Sequence, residues 1–174
     1  MPTYSLNANK ELHMITQDYL KSQLHFNPET GIFTWINARK KVKINTVAGC
    51  LHKKTNYYYI CLDLKKYKLH RLAWFYMYGE WPSVIDHIDG NSLNNKISNL
   101  RKCTFQQNML NQKLRKDNTT GVKGIRFCKH GKWRVLITEN NIKHHVGYFD
   151  DFFEACCAAY SNRIRLHKQF ARHI

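Results

Sequence analysis

Ten consecutive residues, Asn111-Gln112-Lys113-Leu114-Arg115-Lys116-Asp117-Asn118-Thr119-Thr120, hold a single large apolar side chain. A stretch of that composition has little to bury and reads as a linker. The 174-residue chain is therefore expected to fold as two small parts, residues 1–112 and 121–174, with a basic linker at 113–120. Helix and strand patterns mix on the amino-terminal side, and three short strands precede a helix on the other. The expected class is α+β. Hydrophobic residues make up 43% of the chain, enough for packed cores and against wholesale disorder.

In the first part, Leu12, Ile15, Tyr19 and Leu20 recur near helical spacing and predict a helix over 11–24. Asn27-Pro28-Glu29-Thr30-Gly31 signals a turn, and Ile32–Ile36 a short strand. Residues 57–62 and 67–69 read as strands joined through Asp63-Leu64-Lys65-Lys66, a hairpin. His70 to Tyr78 reads as a buried helix that stops at Gly79. Beyond the linker, alternating stretches near 122–128, 132–138 and 142–149 are separated by turns at His130-Gly131 and Asn140-Asn141. A last helix, about 152–168, carries Phe153, Cys157, Tyr160 and Ile164 on one face, and a helix laid across three strands buries one face of each.

Twenty-eight Lys/Arg face twelve Asp/Glu, a formal charge of +16. The excess is not confined to a tail: residues 113–174 hold 13 basic and 5 acidic side chains, residues 1–112 hold 15 and 7, and each part carries +8. Two positive bodies suit a polyanion that touches both, and nucleic acid gains from the counterions such contacts release. No apolar run approaches the roughly 18–20 residues of a membrane span. The Met1-Pro2-Thr3-Tyr4-Ser5-Leu6 start lacks an export signal, so a cytoplasmic protein is expected. The six cysteines form no C-x-x-C pair, which disfavours zinc and disulfides alike; they are expected to be free and mostly buried.

Residues 84–110 carry the chemistry. Val84-Ile85 ends a strand that presents Asp86 and His87, Asp89-Gly90-Asn91 is a turn, and a helix follows from Phe105 to Leu110 with Asn108 inside it. Hydrolysing a phosphodiester requires a deprotonated water and positive charge at the leaving oxygen. A neutral imidazole suits the first task near pH 7. A hard divalent cation on oxygen ligands suits the second. Adjacent strand residues point to opposite sides, so water and ion can approach separately.

The string Asp86-His87-Ile88-Asp89-Gly90-Asn91, with Asn94-Asn95 and Asn99-Leu100-Arg101 after it, resembles the HNH endonucleases, specifically the homing and nicking enzymes of phages. His70-Arg71-Leu72-Ala73-Trp74 and Tyr78-Gly79-Glu80-Trp81-Pro82 extend the resemblance, which covers about residues 20–112. It implies a ββα-metal core over about 84–110 that binds one Mg²⁺ or Mn²⁺. His87 would be the general base, Asn99 would brace the hairpin, and Asp86 with Asn108 would hold the ion. Asn108 stands where many members have histidine.

A second series is Gly121-Val122-Lys123-Gly124-Ile125-Arg126, Gly131-Lys132-Trp133-Arg134-Val135 and Val146-Gly147-Tyr148-Phe149-Asp150, with Glu154-Ala155 and Leu166-His167. It resembles the plant ethylene-response-factor (APETALA-type) DNA-binding domain over about 118–172. That resemblance implies a three-stranded sheet laid in the major groove. It nominates Lys123, Arg126, Lys132, Trp133, Arg134 and Lys143 as contacts. Alternation alone puts Trp133 with Val135 and Ile137 on the core side, so its role stays divided between core and contact. Arg39, Lys41 and Arg101 are expected to meet phosphate.

The expectation is thus a metal-dependent DNA endonuclease, acting as a monomer on duplex DNA, with no membrane, no further small-molecule cofactor and no structural zinc. A non-catalytic DNA-binding regulator that uses the carboxy-terminal domain is the alternative, and an RNA-processing role a third.

Overall fold

The Thr16 side chain accepts a hydrogen bond from the Tyr19 backbone N–H and so caps the first helix, α1 (Gln17–Gln23). The computed structural model describes residues 15–38 and 43–172; the expected phosphate contacts Arg39 and Lys41 lie outside them, as do the first residues of the helix expected from 11. The chain divides into two compact units, one made of residues 1–81 and 92–100, the other of 82–91 and 101–174.

In the first unit, α1 runs straight into β1 (Leu24–Asn27), which turns at 28–31 and pairs antiparallel with β2 (Ile32–Trp35). The sequence pattern had continued the helix through Leu24. Strand wins there because Leu24 and Phe26 alternate inward and both bury. β3 (Val47–Ala48) completes this sheet. A second sheet has β5 (Tyr57–Leu62) between β4 (Cys50–His52) and β6 (Lys65–Lys68). The β5–β6 connection is shorter than expected: Asp63 and Leu64 alone make the turn, both at positive φ (47° and 64°), the geometry that matches strand twist in a two-residue hairpin. α2 (Leu69–Tyr78) buries Leu69, Leu72, Ala73 and Phe75 and ends at Gly79, which takes the left-handed conformation that closes helices. Trp81 stacks on Phe75 with ring centres 4.3 Å apart.

The second unit begins with β7 (Val84–His87), which forms a two-stranded sheet with β8 (Leu100–Cys103), whose first residue belongs to the other unit. α3 (Phe105–Leu110) follows, started by a capping box in which Thr104 and Gln107 satisfy each other's backbone N–H groups. A three-stranded antiparallel sheet comes next, with β10 (Trp133–Glu139) between β9 (Ile125–Phe127) and β11 (Ile142–Phe149). Asn140 and Asn141, at φ 48° and 65°, form the β10–β11 turn. α4 (Phe152–His167) packs across this sheet.

Two expectations are corrected here. The face of α4 that meets the sheet is not the one bearing Phe153, Cys157, Tyr160 and Ile164, all of which are exposed. Ala155 and Ala159 are the fully buried positions, packed with Ile125, Val135 and Ile137. Small side chains let the helix axis come close to the sheet, and close approach outweighs the size of the residues left outside. The cysteines are free as expected, but none is fully buried: Cys50, Cys61 and Cys157 are exposed, and Cys103, Cys128 and Cys156 are half-buried.

Gly124 sets how closely β9 approaches its neighbour. It sits at φ +74°, and a Cβ there would lie 2.4 Å from the Leu136 carbonyl oxygen, while the Gly124 carbonyl accepts from the Leu136 N–H at 2.8 Å. Gly124→Ala is expected to destabilise the chain by about 2–3 kcal/mol, from left-handed backbone strain plus loss of that approach. Urea denaturation of the two proteins measures it; a difference under about 0.5 kcal/mol, the range of ordinary surface changes, contradicts the account.

Candidate active site

β7 is short, but both of its last side chains are buried: Asp86 is 5% and His87 6% exposed. The strand ends in a turn held by its own polar atoms. Gly90 N–H donates to the His87 carbonyl at 2.8 Å, and Asn91 N–H to the Asp89 carboxylate at 2.7 Å. Gly90 takes φ +67°. In the first unit, the asparagines of the following loop brace themselves. Asn99 Nδ2 donates to the Asn94 carbonyl at 2.8 Å, and Asn95 Nδ2 to the Leu93 carbonyl at 3.1 Å. Asn99 thus cross-links the loop in which it lies.

Two residues hold the Asp86 carboxylate. Arg101, on β8, donates from Nε and Nη2 to Oδ2 at 2.8 and 2.7 Å. Asn111, directly after α3 and 6% exposed, places its amide nitrogen 2.9 Å from both carboxylate oxygens and 2.8 Å from the His87 carbonyl oxygen. Asn108 lies one helical turn earlier, half-buried on α3. Burial pushes the neighbouring Cys103 thiol up to about 11, with a further push from the Asp86 charge.

Arg101 was expected at a phosphate. Its guanidinium is turned inward instead, with the side chain 14% exposed. Asn111 falls in the polar stretch that reads as a linker, yet it is buried against Asp86. The signal available was its spacing of three from Asn108, which puts both on one side of a helix and its end.

The chemistry of this set fits a hard divalent cation. Its anionic oxygen donor is the Asp86 carboxylate, whose Oδ1 accepts, among the described residues, from the Asn111 amide nitrogen. Among the described residues no group of three or more His, Cys, Asp or Glu side chains could hold a metal.

The carboxy-terminal sheet places its expected contacts unevenly. Arg126, Arg134 and Tyr148 stand opposite one another across β9, β10 and β11. Directly opposed like charges disfavour a sheet by a few tenths of a kcal/mol or more, so this row is costly without an anion. Lys143 is exposed on β11. Lys132 pairs with Asp150 at 3.1 Å. Trp133 is half-buried between Phe127 and Phe152, with ring centres 4.8 and 4.6 Å away, and packs on the core. Lys123 is also half-buried and donates to the Gln112 carbonyl; burial, with Arg163 and Arg172 near it, lowers its ammonium to about 8.

The HNH endonuclease family model matches residues 67–110, the segment that contains Asp86, His87, Asn99 and Asn108. The chain is 39% identical over 106 residues to "Protein 3.8" of Escherichia phage T7, covering 59% of this chain and 87% of that one. The chain belongs to the HNH endonuclease family. A second relative, "Uncharacterized HNH endonuclease L560" of Acanthamoeba polyphaga mimivirus, is 37% identical over 119 residues, or 67% of this chain and 60% of the mimivirus protein. No solved structure matches. The HNH match stops at residue 110, so Asn111, the residue that grips Asp86, lies just past it. No helix among the described residues is long and apolar enough to cross a membrane.

Proposed function

We propose that this HNH protein is a metal-dependent endonuclease that nicks duplex DNA at a centre built on Asp86 and His87. One observation carries the reading: a carboxylate and an imidazole, consecutive and buried on one short strand, inside the segment that matches the family. The order β7, β8, α3 supports a ββα arrangement. His87 would take the proton from the attacking water, the task its neutral ring suits near pH 7. Asn99 would keep the intervening loop braced through the Asn94 carbonyl. Asp86 and Asn108 would hold the divalent ion, which when bound supplies positive charge for the leaving oxygen.

The carboxy-terminal sheet and helix support a DNA-binding module of the APETALA type. Its Arg126–Arg134–Tyr148 row, exposed at Arg126 and Tyr148 and half-buried at Arg134, is relieved of like-charge repulsion once a phosphate backbone lies on it. Two modest binders on one chain raise the occupancy of a target site. The Arg101–Asp86 ion pair favours a second reading, a DNA-binding regulator in which this cluster is purely structural.

Supercoiled plasmid tests the proposal. With Mg²⁺ the open circle is expected first and linear DNA only later, because one ion-bearing centre cuts one strand per encounter. Chelation with EDTA is expected to stop the reaction. Linear product from the outset contradicts nicking, and intact plasmid under all divalent ions contradicts the nuclease.

A further inference from the structure

After α4 the described residues form a short 3₁₀ turn (Lys168–Phe170) followed by Ala171 and Arg172. Their polar contacts run to the Asp86 cluster, within the same compact unit. Each guanidinium nitrogen of Arg101 has a partner: Nε and Nη2 hold Asp86 Oδ2, and Nη1 donates to the Gln169 carbonyl at 2.5 Å. The guanidinium carbon lies 3.9 Å from the centre of the buried Phe170 ring. Arg172 Nη1 reaches the Asp89 and Asn111 carbonyls at 3.3 and 3.4 Å. It fits because residue 90 is glycine, where a Cβ would stand 1.9 Å from that nitrogen. Asn111 in turn bonds Asp86. The contacts close a ring: Asp86, Arg101, Gln169 and Phe170, Arg172, Asn111, and Asp86 again.

We propose that Arg101 is a positioning residue for DNA cleavage and that Lys168–Arg172 is the strap that holds it, so this segment after α4 is part of the cleavage centre. The inference rests on the proposed role of Asp86 as the ion-holding carboxylate. A lone carboxylate turns about two single bonds. Arg101 fixes Oδ2 with two donors of a planar fork, which leaves Oδ1 aimed in one direction. Lysine has the charge without the fork and cannot set that angle. Phe170 and the Gln169 carbonyl remove the remaining freedom of the guanidinium. Arg172 does for the turn after His87 what Arg101 does for Asp86.

The test compares Arg101→Lys, Arg101→Ala and Arg172→Ala with the wild type in the full chain, after thermal melts have checked that each is folded. The single-turnover cleavage rate at saturating DNA, the DNA Kd at several salt concentrations, and Mn²⁺ affinity by calorimetry without DNA are measured for each. Arg101→Lys is expected to lower the cleavage rate roughly 10- to 100-fold, the range typical when a partner that orients a metal ligand is changed. Mn²⁺ affinity should fall with it. DNA Kd is expected to stay within about twofold, with an unaltered salt slope, since the guanidinium faces no phosphate. Arg172→Ala is expected to slow cleavage severalfold at the same Kd.

Wild-type rate and Mn²⁺ affinity in Arg101→Lys overturn the proposal. So does a weakened Kd with a salt slope shallower by about one at undisturbed Mn²⁺ affinity, the signature of a lost phosphate contact. An unchanged rate in Arg172→Ala overturns the strap. If the wild type binds Mn²⁺ but cuts no DNA, the nuclease reading fails by itself, while the Mn²⁺ comparison still decides what Arg101 does for Asp86.

Discussion

His87→Ala is expected to abolish nicking, lowering the rate by roughly two to four orders of magnitude, the contribution of a positioned general base. DNA affinity should remain. The imidazole is buried on β7, and its removal takes no side chain from the Arg126–Arg134–Tyr148 row. Alanine keeps the His87 carbonyl, which accepts from the Gly90 N–H and from Asn111 Nδ2, and a thermal melt of the variant checks that the fold is kept. Gel-shift titration and plasmid nicking on one preparation separate the two effects. A variant that binds DNA and nicks at the wild-type rate would remove His87 from the chemistry. A wild type that binds without nicking would favour the regulator.

Asp86→Ala carries the second large effect, on stability as well as activity. The ion pair it breaks is nearly closed to solvent, with side chains 14% and 7% exposed. Removing one member leaves the Arg101 guanidinium buried against Phe170 with no counter-charge. Losing one partner of such a pair costs about 3–5 kcal/mol, far more than the pair's net contribution. A loss of about 3 kcal/mol corresponds to a melting temperature lower by roughly 6–12 °C for a chain of this size. The melts belong in EDTA, so that bound ion does not add to the wild type. Asp86→Ala with Arg101→Met should regain much of the loss, because both charges leave together. A single variant that melts within a degree of the wild type would mean that Arg101 and Asp86 are not paired in solution. Nicking should be absent from both variants.

What could be read from residue order is what local chemistry decides. The Asp86-His87 pair, the helix ending at Gly79 and the Asn140-Asn141 turn depend on near neighbours and on backbone conformations that few residues take. The α4 face depends instead on how near a helix comes to a sheet. Hydrophobicity pointed to Phe153, Tyr160 and Ile164, while contact distance selected Ala155 and Ala159. Arg101 shows the same limit for charge. In a strongly basic chain every arginine resembles a phosphate contact, and only the fold shows that this one lies over Phe170 and holds Asp86. Asn111 was hidden by its polar neighbours, since a buried asparagine and a linker asparagine look alike until the residue 25 positions earlier is seen beside it.

Iron-directed cleavage of the protein backbone would locate the ion itself. Fe²⁺ bound in place of Mg²⁺ generates hydroxyl radicals with ascorbate and peroxide, and these cut the chain beside the metal. Cuts at residues 86–90 and 108–111, suppressed by excess Mg²⁺ and absent in Asp86→Asn, are the predicted result. Cuts elsewhere that Mg²⁺ suppresses equally, or none at these two segments, would contradict an ion-bearing centre at Asp86.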